Sequence, residues 1–223
     1  MSMNATYRNA ADLPSVIPIF PLPGALLLPR GEMPLNIFEP RYVALIDDAI
    51  KSARVIGMIQ PDVESEIMPK TPSLHAVGCA GRITQLSETG DGRYLVTLTG
   101  IARFRVLEEL LVTTPYRQCR VDFAAFPSDY EARAGEADVD RESVIRTLKA
   151  FVEANDLSID WKGIKEASNE ALVNALSMMS PFETREKQAL LEAPDLKSRA
   201  EILVAITEMD LARGQDGSET PLQ

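Results

Sequence analysis

A chain of 223 residues with one histidine has few routes to acid–base or nucleophilic chemistry, and the spacing of its reactive side chains narrows them further. His75 would have to serve any Ser/His/Asp or Cys/His mechanism, yet no Gly-x-Ser-x-Gly elbow accompanies it, and it reads as a surface residue in a loop ahead of a strand. Cys79 and Cys119 stand far apart in alternating strand patterns. With His75 they lack the paired spacing of a zinc site, and they read as buried free thiols rather than a disulfide. The carboxylate pairs Asp47/Asp48 and Glu108/Glu109 are adjacent rather than one helical turn apart, so they do not converge and read as solvated. Neither a Gly-x-x-x-x-Gly-Lys-Ser/Thr loop nor a Gly-x-Gly-x-x-Gly turn is available to hold nucleotide phosphates. The expectations are no catalytic residue, no metal and no cofactor.

The elements that would position other kinds of site are more legible. In MPLNIFEPRYVALI, Met33, Leu35 and Ile37 alternate as on a half-buried strand, whereas Tyr42, Leu45, Ile46 and Ala49 follow helical spacing. Pro40 sits at the seam, where a first helical residue loses nothing by lacking an amide proton, and Glu39 lies at the positive end of the helix dipole. Glu39 therefore reads as helix support, with a direct binding role as the competing reading. Strands are predicted at VIPIF, ALLLP, MPLNIF and RVIGMIQ, then in a meander of AVGCAGRITQLSE, YLVTLTGIARFRVLEELL and YRQCRVDF. Gly90, Asp91 and Gly92 supply a tight hairpin, and Gly100 marks a bulge or corner where the sheet curls. Short strands, one helix and curling devices predict a small open barrel.

From Asp138 onward the period turns helical. Val144, Ile145, Leu148, Phe151 and Val152 line one stripe and Leu172, Val173, Leu176 and Met179 a second, with Met178 and Met179 read as core. Ser180, Pro181 and Glu183 spell a capping box, and Asp195 caps a last helix carrying Leu196, Ala200, Leu203 and Thr207. Trp161 and Gly163 fall in a loop. FPSDYEARAGEADVD between the two patterns has linker composition. The expected organisation is a β-rich subdomain over 1–125, a linker over 126–137, a helical bundle over 138–213 and a disordered tail over 214–223. Residues 126–223 carry 11 Lys+Arg and 20 Asp+Glu, an acidic surface that repels phosphate backbones and argues against nucleic acid as a partner. No apolar run approaches the ~20 residues of a membrane helix and the amino terminus lacks a secretory pattern, so no membrane partner and a cytoplasmic location are expected.

In order along the chain, IPIFPLPGALLLP, MPLNIFEPRYVALI, VIGMI, VGCAGRITQL, DGRYLVTLTGIARFRV and PYRQCRV resemble the amino-terminal substrate-binding domain of the Lon proteases, from about Ile17 to Phe123 and more loosely to about Leu211. The resemblance implies an α+β fold, a PUA-like open β pseudo-barrel with one internal helix followed by a C-terminal helical bundle. Arg30 departs from it, since the family often has a glycine directly after that proline. The resemblance also implies a recognition module separated from the ATPase and serine–lysine peptidase parts of a full-length Lon, a bacterial, cytoplasmic protein concerned with protein quality control.

The function expected first is a non-enzymatic module that binds unfolded or extended polypeptide, with a protease or chaperone as a further partner. The alternative is a scaffold that self-associates or pairs with another protein and handles no client; RNA or small-molecule binding and an unrecognised hydrolase rank behind. Leu26, Leu27 and Phe38 are the candidates for an apolar binding lip, with Arg41 as the polar group beside it. An exposed Leu22, Pro23, Leu26 and Leu27 would favour client binding, and a buried segment the scaffold.

Overall fold

Strand β1, Val16–Pro21, opens the sheet in a computed structural model that describes residues 5–62 and 72–216. It is followed by β2 (Glu32–Ile37), α1 (Pro40–Lys51), β3 (Val55–Ile59), the short pair β4 (Pro61–Asp62) and β5 (Ser73–Leu74), then β6 (Val77–Glu88), β7 (Tyr94–Glu109) and β8 (Arg117–Asp122). The helices after the sheet are α2 (Arg141–Ala154), α3 (Trp161–Glu166), α4 (Asn169–Met179), α5 (Thr184–Glu192) and α6 (Leu196–Asp216). This is the mixed α+β fold that the patterns predict.

The six-stranded sheet runs β2-β7-β6-β3-β1-β8, with β1 and β3 parallel and the other ladders antiparallel. Its shape follows from β7. The first part of β7, Tyr94 to Thr99, pairs with β2, and its last part, Arg105 to Glu109, pairs with β8, so the sheet folds back on itself as a pseudo-barrel. β2 stays outside as an edge, so the pseudo-barrel keeps a free strand. The curl is placed by glycine: Gly81 pairs with Gly100 and Ala80 with Ala102, leaving Ile101 as the extra residue of a bulge. A β-carbon on Gly100 would lie 2.0 Å from the carbonyl oxygen of Leu28, so only glycine admits the 28–31 segment there. The β6–β7 hairpin turns through Gly90 and Gly92, both at positive φ.

Burial confirms the two periods read at the opening stretch. Met33, Leu35 and Ile37 are the inward residues of β2, and Tyr42, Leu45, Ile46 and Ala49 are the buried face of α1. Ile17, Ile19, Phe104, Cys119 and Phe123 form a shared core, and both cysteines are free and buried.

The chain forms two compact units. One runs through Ala132 and takes back Phe182–Leu191; the other holds Arg133–Pro181 and the residues from Glu192 onward. Composition gives 126–137 to a linker and periodicity gives 182–191 to the bundle, and the structure differs on both for polar reasons. Asp129, in a 3-10 turn at Pro127–Tyr130, is buried against Arg103 of β7, and Gln188 of α5 donates to the Val77 carbonyl and shares a hydrogen bond with Gln60. A third difference concerns caps. Ser180 ends α4 rather than starting α5, and Glu186 accepts the Glu183 amide, so α5 begins three residues beyond the expected box. Met179 is exposed rather than core, and Trp161 opens α3 because Asp160 accepts the Lys162 amide. Helix α6 runs to Asp216, beyond the point where a tail is expected, and residues 217–223 lie outside the described residues.

Candidate polypeptide-binding surface

The seam between β2 and α1 builds a layered surface. Pro40 occupies the first helical turn, and Glu39 precedes it in extended conformation without capping the helix through its side chain. The Glu39 carboxylate instead accepts from Arg41 Nε at 2.9 Å and Nη2 at 2.8 Å. Both side chains are exposed, which makes this pair worth ~0 to 1 kcal/mol. The Arg41 guanidinium lies 4.5 Å from the Tyr42 ring centre, and that ring stacks on Phe20 at 4.1 Å. Arg41 thus lies over an aromatic column while its side chain stays exposed to water.

Phe38 is 61% exposed, an unusual state for a large apolar ring between a strand and a helix. Register supplies its neighbourhood. Ile37 pairs with Tyr94 and Asn36 with Leu95 across β2 and β7, while Ser87 pairs with Leu95 and Leu86 with Val96 across β6 and β7. Leu95, at 50% exposure, therefore shares the outer face with Asn36 and Ser87 beside the end of β2 where Phe38 stands, whereas Leu86, at 39%, is paired with inward-facing Val96 and lies on the opposite face. Tyr94, beside them, donates to Asp47 at 2.8 Å, and Tyr116 donates to Asp48 at 2.7 Å. The two adjacent carboxylates of α1 are thus not simply solvated; each takes a tyrosine hydroxyl. Burial, followed by the Asp48 hydrogen bond, pushes the Tyr116 phenol up to about 12.

Two of the four residues expected at the binding lip are elsewhere. Leu26 and Leu27 are 1% and 2% exposed, while Leu22 is half-buried and Pro23 exposed. The cause lies in the glycines of the sheet: a β-carbon on Gly81 would meet Leu27 Cδ2 at 2.7 Å, so Leu27 fills the space that glycine leaves against Leu98. The segment is then pinned by Arg30 N to Gly100 O and Gly100 N to Gly31 O, both 2.8 Å. Arg30, the departure noted after Pro29, adopts φ 65°, the left-handed region a glycine would take freely, and its guanidinium donates to the Asp129 carbonyl at 2.6 Å. Leu86 and Leu95 escape the sequence reading, although Leu95 was accessible to it: in YLVTLTG the inward residues are Val96 and Leu98, which turns Leu95 to the other face.

A hydrophobic surface of this kind gains meaning from relatives. The family model for the ATP-dependent protease La (LON) substrate-binding domain matches residues 16–208. The chain belongs to that family. Lon protease 2 of Myxococcus xanthus and the Lon protease of Anaeromyxobacter dehalogenans are each 30% identical over 207 residues, 89% of this chain and 24% of theirs. The chain spans about a quarter of the length of these curated relatives. Among solved structures, the Lon N-terminal domain protein of Xanthomonas campestris superposes with a TM-score of 0.59 at 22% identity, covering 85% of this chain and 97% of that one. The N-terminal domain of the Mycobacterium avium complex Lon protease gives 0.62 at 17%, covering 86% and 98%. At these identities the Lon likeness of the two structures is a likeness of fold. Among the described residues no His/Cys/Asp/Glu group could hold a metal ion, and no helix is long and apolar enough to cross a membrane.

Proposed function

We propose that the protein is a non-enzymatic module that binds unfolded or extended polypeptide, using Phe38 and Leu95 as the apolar contact and Arg41 as the polar one. The observation that carries the reading is the exposure of Phe38 and Leu95 at one end of β2 and β7 in a member of the Lon substrate-binding family. Exposed rings and leucines give a sequence-tolerant contact, and the Arg41 edge suits a backbone carbonyl or a carboxylate. A cytoplasmic setting and a protease or chaperone that receives the bound segment belong to the same proposal. Release without nucleotide requires a fast off-rate, so affinity is expected on the order of micromolar, about −8 kcal/mol.

Fluorescence anisotropy of a labelled unfolded polypeptide against its folded form tests the proposal. Preference for the unfolded form, unchanged by ATP or chelator, is expected; equal binding to both forms, or ATP or peptide hydrolysis above a heat-killed blank, contradicts it.

The burial of Leu26 and Leu27 favours the second reading, a self-associating scaffold, in which the same exposed patch meets another copy. Sedimentation equilibrium separates the two: a dimer that dissociates in the Phe38→Ser variant and binds no client supports the scaffold.

A further inference from the structure

On the first unit, two concavities of about 500 and 350 Å³ share Ala5, Tyr7 and Arg82 and so adjoin as the two halves of a groove, each within the size range of ligand sites. Its charge runs against that of the chain. Lys51, Arg54, Arg82 and Arg30 line it, in a chain whose net charge is −10. The two carboxylates in the lining are engaged elsewhere: Asp12 accepts the amides of Arg8 and Asn9, and Asp129 is bound to Arg103. Arg82 donates to the Tyr7 hydroxyl at 2.8 Å, which fixes its guanidinium at the waist between the two halves. Lys51 and Arg54 carry no ion pair among the described residues.

The backbone singles out two of these cations. Among the described residues of the first unit, Arg30 and Arg54 are the non-glycine residues at positive φ, 65° and 59°, and both line the groove, one in each half. Glycine would adopt either position without strain. Arg54 follows the end of α1, where its amide bonds the Ala49 carbonyl and its carbonyl accepts from Ile83, contacts that a glycine would keep. Arg30 also donates to the Asp129 carbonyl, whereas no ion pair among the described residues accounts for an arginine at position 54.

We propose that this groove docks an acidic, extended polypeptide segment, whose carboxylates pair with Lys51, Arg54, Arg82 and Arg30. The proposal rests on the polypeptide-binding reading and adds to it a second, charge-selective surface. A polypeptide fits better than RNA, because the chain's net charge of −10 repels a long phosphate backbone more than a few spaced carboxylates.

The test uses the full chain with a fluorescein-labelled decapeptide of alternating Glu and Gly, its Gln counterpart, and a single-stranded RNA of ten nucleotides. The wild type should bind the Glu peptide, bind the Gln peptide weakly, and lose the Glu peptide as salt is raised. In Arg30→Gly/Arg54→Gly the Glu peptide should bind about tenfold weaker or more, while the melting temperature falls slightly, since relief of strain offsets the freedom glycine adds to the unfolded chain but the Arg30 hydrogen bond to the Asp129 carbonyl is lost. Lys51→Glu, at an exposed helix end, gives the same loss without a change of backbone. Equal binding of Glu and Gln peptides, wild-type binding by both variants, or tighter binding of RNA would overturn the proposal. A Phe38→Ser variant that loses the unfolded polypeptide but keeps the Glu peptide separates this surface from the apolar one, so either can fail alone.

Discussion

The two compact units are held together by different physics. In the first, position is dictated by ladder register, by close approach at Gly81 and Gly100, and by a buried ion pair: Arg103, 2% exposed, meets Asp129 through Nε and Nη2 at 2.9 Å, donates to the Leu191 carbonyl at 3.1 Å, and lies 4.4 Å from the Phe126 ring centre. In the second, apolar stripes are laid down by helix period and the ends are set by side-chain caps: Asp140 on Ser143, Ser168 on Ala171, Asp195 on Ser198. Charge differs as well. Residues 1–132 and 182–191 carry 14 Lys+Arg and 17 Asp+Glu, net −3, and the remainder 9 and 16, net −7. A unit whose parts are fixed by ladder register and a buried ion pair can hold a defined surface patch, whereas the second, which joins its capped helices through a few ties such as Arg199 to the Asn174 side chain, should feel the loss of one cap locally.

The sharpest way to break this contrast is Asp129→Ala. It leaves the Arg103 guanidinium buried without its carboxylate, and a loss of about 3 to 5 kcal/mol is expected. Hydrogen exchange should then show β7 losing protection while α2 and α4 keep theirs. Gly100→Ala should cost about 1 to 3 kcal/mol or more, because the Leu28 backbone has to move; urea melts measure it. On the other side, Asp140→Ala removes one cap and should cost about 1 kcal/mol, with exchange rising only in the first turn of α2.

The smallest effect at neutral pH belongs to Tyr116. Its phenol, raised to about 12 by burial and then by Asp48, stays protonated in the folded state while the unfolded state ionises near the ordinary 10. Stability from this group is complete below pH 10 and falls as pH rises from 10 to 12. Tyr116→Phe should flatten that fall, read as melting temperature against pH.

Much of the fold was legible because its signals are local. The alternation of β2, the face of α1, the Gly100 corner and the Asp195 cap each sit within a few residues of what they determine. What escaped is long-range. Nothing near Asp129 says that it will meet Arg103, 26 residues away, or that Gln188 will return to Val77 and Gln60. The site was half legible for the same reason. Phe38 and Arg41 are placed by the strand-to-helix seam they belong to, whereas Leu27 fills the space at Gly81 and the Leu28 backbone that follows it sits against Gly100, neither of which their own stretch contains.

The central claim is that the exposed end of β2 and β7 binds unfolded polypeptide, and one titration meets it directly. A labelled unfolded polypeptide is titrated with wild type and with Phe38→Ser/Leu95→Asp, alongside thermal melts of both proteins. Because both side chains are exposed, the melts should agree to within about 0.5 kcal/mol, while the dissociation constant of the variant rises about tenfold or more. An unchanged dissociation constant with an unchanged melt would contradict the account.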